Sequence, residues 1–388
     1  MKYQLGDVCD FYNGGAWSDK EYVSSGLPVL KVTNCKSKGF ALDDVDSLPL
    51  SSAQKYAKNK LKNGDVVIAT VGSHPNLVDS AAGRSCIINS IVEGFYLNQN
   101  AVCIRTKDSE ILDQKYLGYL TKYRLFQHYI QMRGKGAANQ MRIAIGAIKS
   151  YEFEFPEIEI QRRIGDILSA YDNLIENNQK QINLLEDATQ RLYKEWFVDL
   201  RFPGYEDTPI VDSVPEGWLS GVIGDIAEFK RGKTITKKQA VKGEIPVVAG
   251  GKEPAYWHNK ANTGNPVITV SASGNAGFTR MYYQKVWASD CSYLDRDATE
   301  DLFYVYLHLK YRQDDIYSMQ KGACQQHVNA KEINAMKIHI PANDILQSFN
   351  EIISPYFTKI SSLERQIQFA TQARGCLLPK LMSGEIEV

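Results

Sequence analysis

The chain has 388 residues, 44% apolar and 23% charged, with 45 basic against 45 acidic side chains and a formal net charge of zero. That length and composition describe a folded chain of two or three domains. The zero balance excludes a histone-like polycation and an acidic disordered chain, but not local partition of charge onto a binding face.

No stretch reaches 18 consecutive apolar residues, so no transmembrane helix is expected, and the polar start MKYQLGDVCD lacks the apolar core of a signal peptide. Seven scattered cysteines without a C-x-x-C pair read as reduced, mostly buried thiols of a cytoplasmic protein. The six histidines show no metal-ligand spacing, so no metal site is expected.

Taken in chain order, the elements repeat. Leu5-Gly6-Asp7-Val8 at the start returns as Ile223-Gly224-Asp225-Ile226, and Leu27-Pro28-Val29-Leu30 returns as Ile245-Pro246-Val247-Val248. The β-branched run Asp65–Val71 reads as a strand, as does Pro266–Ser271. Helical patches around Tyr116 to Met132 and Leu302 to Met319 follow. Next come Gly136-Ala137-Ala138-Asn139-Gln140 in the first copy and Gly322-Ala323-Cys324-Gln325-Gln326 in the second. Alternating strands then run into a proline, Tyr151 to Pro156 and Ile338 to Pro341. The offset between copies falls from 218 residues (5 to 223) to 186 (136 to 322), so the first is the longer.

A long helix is expected after each proline. From Glu159 to about Val198 the apolar stripe is Ile160, Ile164, Ile167, Tyr171, Ile175, Ile182 and Leu185, with Asn178 and Thr189 completing its spacing. From Asp344 to about Leu378 it is Phe349, Ile353, Tyr356, Ile360, Leu363 and Ile367. Alternating 3–4 spacing over four or more turns is a coiled-coil seam. Helices of this length cannot bury their stripes alone, so the two are expected to pack on each other, antiparallel and related by a pseudo-two-fold axis. The alternative is that each folds back on its own globular unit. The fold class is therefore α+β: a globular unit at 1–157, a helix at 158–198, a Pro- and Gly-rich linker at 199–218, a second unit at 219–343, and a helix with tail at 344–388.

Charge is unevenly spread. Residues 1–157 carry 19 bases and 16 acids, 158–198 carry 5 and 7, 199–343 carry 17 and 17, and 344–388 carry 4 and 5. Between Asp113 and Glu152 there are seven bases and no acid, and six bases stand unopposed between Glu228 and Glu244. A single lysine cluster is ordinarily a solvated surface. That both copies carry acid-free windows, interleaved with Asn, Gln, Ser and aromatics, points to phosphate contact and base reading. Chemistry is absent by contrast: there is no phosphate-cradling glycine loop, no aminomethyltransferase motif, no nuclease acid cluster and no nucleophile elbow. The chain reads as non-catalytic.

The ordered set of motifs resembles the DNA-specificity subunit of type I restriction-modification enzymes. The stretches that carry the resemblance are the repeat starts at Leu5 and Ile223, the Gly-Ala-x-x-Gln turns, and Glu159-Ile160-Gln161-Arg162-Arg163-Ile164. With them stand Lys194-Glu195-Trp196-Phe197-Val198-Asp199-Leu200-Arg201-Phe202-Pro203-Gly204, Val214-Pro215-Glu216-Gly217-Trp218, and the tail Leu377 to Ile386. The second helix departs from the pattern, having Leu346-Gln347-Ser348 where the first has Gln-Arg-Arg.

The resemblance implies that each globular unit is a target-recognition domain reading one half of a bipartite, asymmetric site on double-stranded DNA. The helices would set the spacing and dock two methyltransferase subunits and the restriction/translocase subunits. S-adenosylmethionine, Mg²⁺ and ATP would be used by those partners, with no cofactor, metal or catalytic residue in this chain.

DNA contacts are expected from the loops at Lys31–Asn34, Gly72–His74, Asn98–Asn100 and Gly136–Arg142, with Lys31, Asn34, Ser73, His74, Asn98, Gln99, Asn139, Gln140 and Arg142 chosen there, and from Arg133 and Lys135 just before the last loop. In the second unit they are expected from Arg231, Lys233, Lys252, Ser271, Ser273, Asn275, Arg280, Lys321, Gln325, Gln326 and His327. Asn and Gln suit adenine N6/N7, and Arg suits guanine O6/N7. For each single residue, a structural role or a phosphate contact is the more ordinary reading than direct base contact. Competing readings are a specificity subunit of a fused, type II-like system and a coiled-coil scaffold with no DNA role.

Overall fold

The computed structural model describes residues 2–36, 39–42, 45–73, 82–137, 140–211, 214–319 and 327–388. They form two compact units, Met1–Glu176 with Gln368–Val388, and Asn177–Ile367. Each unit thus takes one globular repeat and a stretch of both long helices.

In the first unit an antiparallel sheet runs in the order Cys9–Asn13, Ala101–Thr106, Val66–Ala69, Ser85–Ile87. Its inner strands, Val66–Ala69 and the first four residues of Ala101–Thr106, are apolar on both faces because both faces are covered. Val66, Ile68, Val102 and Ile104 pack with Leu117, Leu120, Phe126 and Ile130 of helices Gln114–Lys122 and Arg124–Gln131. Val67, Cys86 and Cys103 point the other way, onto Leu30, Leu61 and Leu97. A smaller sheet places Leu27–Leu30 between parallel Tyr96–Leu97 and antiparallel Ser47–Leu48. Lys2–Gln4 pairs with Glu152–Glu154.

The second unit repeats this order with Lys230–Arg231, Cys291–Asp295, Val267–Ser271 and Thr279–Tyr282. Ile268, Val270, Met281 and Leu294 face the helix Leu302–Tyr311, while Val267, Tyr282 and Cys291 face Val248, Val286 and Ala288. Ile245–Val248 again lies between a parallel strand, Trp287–Ala288, and an antiparallel one, Tyr256–His258. Leu219–Val222 pairs with Lys337–Ile340. The sequence repeat is therefore a repeat of sheets, and both expected core strands and both helical patches are present.

The long helices run Ile158–Tyr193 and Asn343–Ser383, 36 and 41 residues, or about 54 and 60 Å at 1.5 Å per residue. In the second unit they are antiparallel: Asn178 Nδ2 donates to Gln366 Oε1 at 3.1 Å, and further along the Trp196 ring lies 5.5 Å from Phe349. Ile182, Phe349, Ile353, Ile360 and Leu363 are buried, with Leu185 and Ile367 packed at the margin. Phe357 belongs to the same core although the sequence stripe omitted it. In the first unit Ile164 is buried with Leu168, Leu381 and Met382, and Ile160 and Ile167 pack beside them. There Tyr171 and Ile175 are half-buried, as is Tyr356 in the second unit. Asn178 and Thr189, both expected on the stripe, are buried. One buried amide among apolar side chains pins helix register, because any shift leaves it without a partner.

After Tyr193 the first helix widens into a π-helix over Lys194–Val198, closed by Asp199 N–H donating to Lys194 O at 2.8 Å. The stretch expected as a linker is packed: Phe202, Val214 and Trp218 are buried in the second unit, and the Phe202 and Trp218 rings lie 4.9 Å apart. Its prolines and glycines shape turns, and its aromatics anchor those turns to a core. Among the described residues no helix is long and apolar enough to cross a membrane.

Candidate nucleic-acid interface

The first unit carries an open cleft of about 540 Å³ at the end of its central sheet. Segments far apart in sequence line it: Asn13 and Gly14, Thr70 and Val71, Gln99 to Ala101, Arg133, Lys135, and Arg142 to Ile145. Backbone pairing assembles it. Thr70 N–H donates to Asn100 O at 2.7 Å, Gly14 N–H to Ala101 O at 3.0 Å, and Ile143 N–H to Thr70 O at 2.8 Å. A Cβ on Gly14 would stand 1.9 Å from Asn98 O, so only glycine lets the Asn98–Asn100 loop approach this closely. Asn100 has φ +71°, a left-handed conformation that asparagine tolerates better than most residues.

The wall of the cleft is a β-hairpin in which Lys135 pairs with Arg142, and Met141 and Arg142 pair onto Gly72 and Val71. Arg133 precedes it. Its guanidinium lies 3.5 Å from the centre of the Tyr129 ring and donates to Tyr129 O at 3.2 Å, while Tyr129 is held by its hydroxyl donating to Ser150 O at 2.8 Å. A stacked, tethered arginine loses less freedom on meeting an anion than a loose one. Among the described residues, three cations with Asn13, Gln99 and Asn100, and no acidic residue, therefore line one concavity. This is the mixture that contacts phosphates and reads base edges.

Of the expected first-unit residues, Gln99, Arg133, Lys135 and Arg142 line this cleft. Gln140 is exposed on the hairpin, Asn98 is half-buried with its amide donating to Tyr22 OH at 3.4 Å, and Ser73 is half-buried after Val71–Gly72. Lys31 and Asn34 are not among the lining residues and have internal partners. Lys31 pairs with Asp46, which holds its ammonium more firmly protonated, and lies over the Tyr22 ring. Asn34 is buried, its Oδ1 accepting from Lys31 N–H at 2.8 Å and its Nδ2 donating to Ala41 O at 2.9 Å, so it staples its own loop. His74 and Asn139 lie outside the described residues.

The second unit builds the same backbone frame with other side chains. Ala272 N–H donates to Asp290 O at 3.1 Å, Gly232 N–H to Cys291 O at 2.8 Å, and Val328 N–H to Ala272 O at 3.1 Å. These match the three hydrogen bonds of the first unit one for one, so Asp290 stands where Asn100 does and Ala272 where Thr70 does. Strand register puts Arg231, opposite Ser292, in the place of Asn13, opposite Val102. Arg231, Lys233, Lys252 and Asn275 are exposed, and His327 is half-buried beside Val328. Ser273 Oγ donates to Asp290 Oδ2. Ser271 is buried, its hydroxyl turned to Ala249 O at 3.4 Å, an inward contact rather than an exposed one. Arg280 also turns inward: it pairs with Glu253, donates to Lys252 O at 3.1 Å and lies 4.9 Å from the Tyr282 ring centre. Lys321, Gln325 and Gln326 lie outside the described residues.

The model of the type I restriction modification DNA specificity domain matches residues 1–187 and 215–370, covering both repeats. The chain belongs to the type I restriction-modification DNA specificity family. A relative, the type I restriction enzyme MjaIX specificity subunit of Methanocaldococcus jannaschii, is 27% identical over 75% of this chain and 73% of its own length. The putative MjaX specificity subunit of the same organism is 21% identical over 99% of this chain and 93% of its own. The crystal structure of a type I restriction-modification S subunit from M. genitalium shares the fold with TM-score 0.59 at 18% identity, covering 98% of this chain and 95% of that one.

Two framework stretches of this specificity-family chain acquire physical roles. In Glu159-Ile160-Gln161-Arg162, the buried Gln161 accepts from Asp113 N–H at 3.0 Å and donates to Ile111 O at 3.0 Å and Pro156 O at 2.9 Å. It thereby locks the start of the long helix to the helix that Asp113 caps through Tyr116 N–H. In Trp196-Phe197, Phe197 sits 4.6 Å from Phe349 and 5.7 Å from Trp218, tying helix, helix and following turn together.

Asn13, Thr70 and Asp290 were missed by sequence reasoning. Each is a single short polar residue at a strand end, a position with no motif. Asp290 had one available signal, since it is the residue that ends the acid-free window Pro254–Ser289.

Proposed function

We propose that each unit reads one half of a bipartite, asymmetric DNA sequence through the cleft at the end of its central sheet, and that the chain sets target choice for enzymes carried on other subunits. The observation that carries this reading is the convergence of Arg133, Lys135 and Arg142 with Asn13, Gln99 and Asn100 in one concavity. The repeat of its backbone frame in the second unit with different side chains fits two unlike half-sites. The role of the paired helices in this reading is to set the spacing between the two half-sites, as two-fold symmetry does for dimeric DNA-binding proteins. Two methyltransferase subunits dock on this chain, together with the restriction/translocase subunits. S-adenosylmethionine, Mg²⁺ and ATP would be used by those partners, to which extrusion and methylation of the target adenine would belong. Among the described residues no group of His, Cys, Asp and Glu could hold a metal ion.

The test is DNA binding by the chain assembled with its methyltransferase partner, measured over a range of salt. The triple variant Arg133→Gln, Lys135→Gln, Arg142→Gln is expected to bind more weakly and to lower the steepness of log K against log[salt] by up to about three, near 0.9 for each phosphate no longer neutralised. Unchanged affinity and an unchanged salt slope would leave only the reading as a protein scaffold.

A further inference from the structure

Resting on the DNA reading above, we propose that the residue entering the central strand, Asn100 in the first unit and Asp290 in the second, is a specificity-determining position. It sets adenine in the first half-site and cytosine in the second.

The two residues occupy the same place in two copies of one frame. Each accepts through its backbone carbonyl from the residue that follows the neighbouring core strand, Thr70 to Asn100 at 2.7 Å and Ala272 to Asp290 at 3.1 Å. Each is followed by the residue that accepts from the cleft glycine, Ala101 from Gly14 and Cys291 from Gly232. Both loops start from matched bonds, Asn98 N–H to Leu30 O at 3.0 Å and Ser289 N–H to Val248 O at 2.8 Å. The second loop reaches the strand one residue sooner, so the pair Gln99-Asn100 is answered by Asp290 alone.

Chemistry follows from the exchange of an amide for a carboxylate. Asn100 lines the cleft and is exposed, and its amide offers a donor and an acceptor, the pair that matches adenine N7 and N6–H₂ in the major groove. A carboxylate only accepts. Facing guanine or thymine it would meet O6, N7 or O4, all acceptors, and facing adenine it would meet N7 beside the amino group. Cytosine N4–H₂ is the base-edge group it suits. Ser273 donates to Asp290 Oδ2, which orients the carboxylate and leaves Oδ1 for a base. Arg231 on the adjoining strand, in the place of Asn13, keeps the surroundings cationic, so a carboxylate there does not cost the unit its attraction for phosphate.

The experiment is selection from randomised duplexes by the full chain assembled with its methyltransferase partner, comparing the native protein, Asp290→Asn and Asn100→Asp. Asp290→Asn keeps the shape of the side chain, and Asn100→Asp keeps a residue that tolerates positive φ, so each unit retains its frame. The native complex is expected to select adenine at one position of one half-site and cytosine at one position of the other. Asp290→Asn should shift the cytosine position toward adenine by roughly 5- to 100-fold in preference and leave the other half-site as it was. Asn100→Asp should do the reverse. The untouched half-site in each variant reports that the complex still folds and binds. Selection of the native motif by both variants, with no change at either position, would overturn the proposal. A native complex that selects no sequence at all would overturn the DNA reading beneath it.

Discussion

Glu364 lies half-buried on the second long helix and faces Arg280 and Glu186. Burial pushes its carboxyl up to about 6, against the attraction of Arg280 and with the help of Glu186, whose own carboxyl burial also raises. Between the ordinary carboxylate value and about 6 the folded chain therefore holds more protons than the unfolded one. Stability should fall as pH rises through that window and stay at the lower level above it. Glu364→Gln is expected to raise the unfolding free energy at pH 7.5 by up to about 2 kcal/mol and to flatten the decline, as thermal melts from pH 4.5 to 8 would record. At Gln161 the cost runs the other way. Truncation to alanine strands a backbone N–H and two carbonyls at a buried junction, for which the expected loss is about 1–3 kcal/mol in urea unfolding.

Among the elements, the helix pair is packed in the second unit by a cluster of aromatic rings beside its aliphatic seam. Phe349 is fully buried, 5.5 Å from Trp196, 4.6 Å from Phe197 and 6.4 Å from Tyr304. Phe349→Ala is expected to cost about 3–5 kcal/mol, with a shift in tryptophan emission as Trp196 and Trp218 meet water, checked by urea denaturation followed by fluorescence. An unchanged midpoint would mean that the helices hold together elsewhere. The helices and core strands were legible in the sequence because periods of 3.5 and runs of Val and Ile report burial directly. The packed stretch 199–218 was not, because Pro and Gly signal turns without saying whether nearby aromatics such as Phe202 and Trp218 find a core.

Over the whole molecule, the readable and unreadable parts of the site differ for a physical reason. Arg133, Lys135 and Arg142 were visible because a charge window is local in sequence. Asn13 and Thr70 were not, because strand pairing alone brings residues 13, 70, 100 and 142 to one rim. Asn34, Ser271 and Arg280 have the right chemistry for DNA, yet their hydrogen bonds close inward, a distinction only geometry makes. Net neutrality hides the same unevenness: residues 1–157 carry 19 bases against 16 acids, and the second repeat, with 17 of each over 199–343, still holds an acid-free window of six bases between Glu228 and Glu244, so a neutral chain can present local cationic patches. The most direct test is methylome sequencing of a methylation-free host carrying the partner methyltransferase gene, with and without this chain. One bipartite methyladenine motif is expected only when the chain is present. Absence of any motif, or the same motif without the chain, would contradict its role in choosing the target.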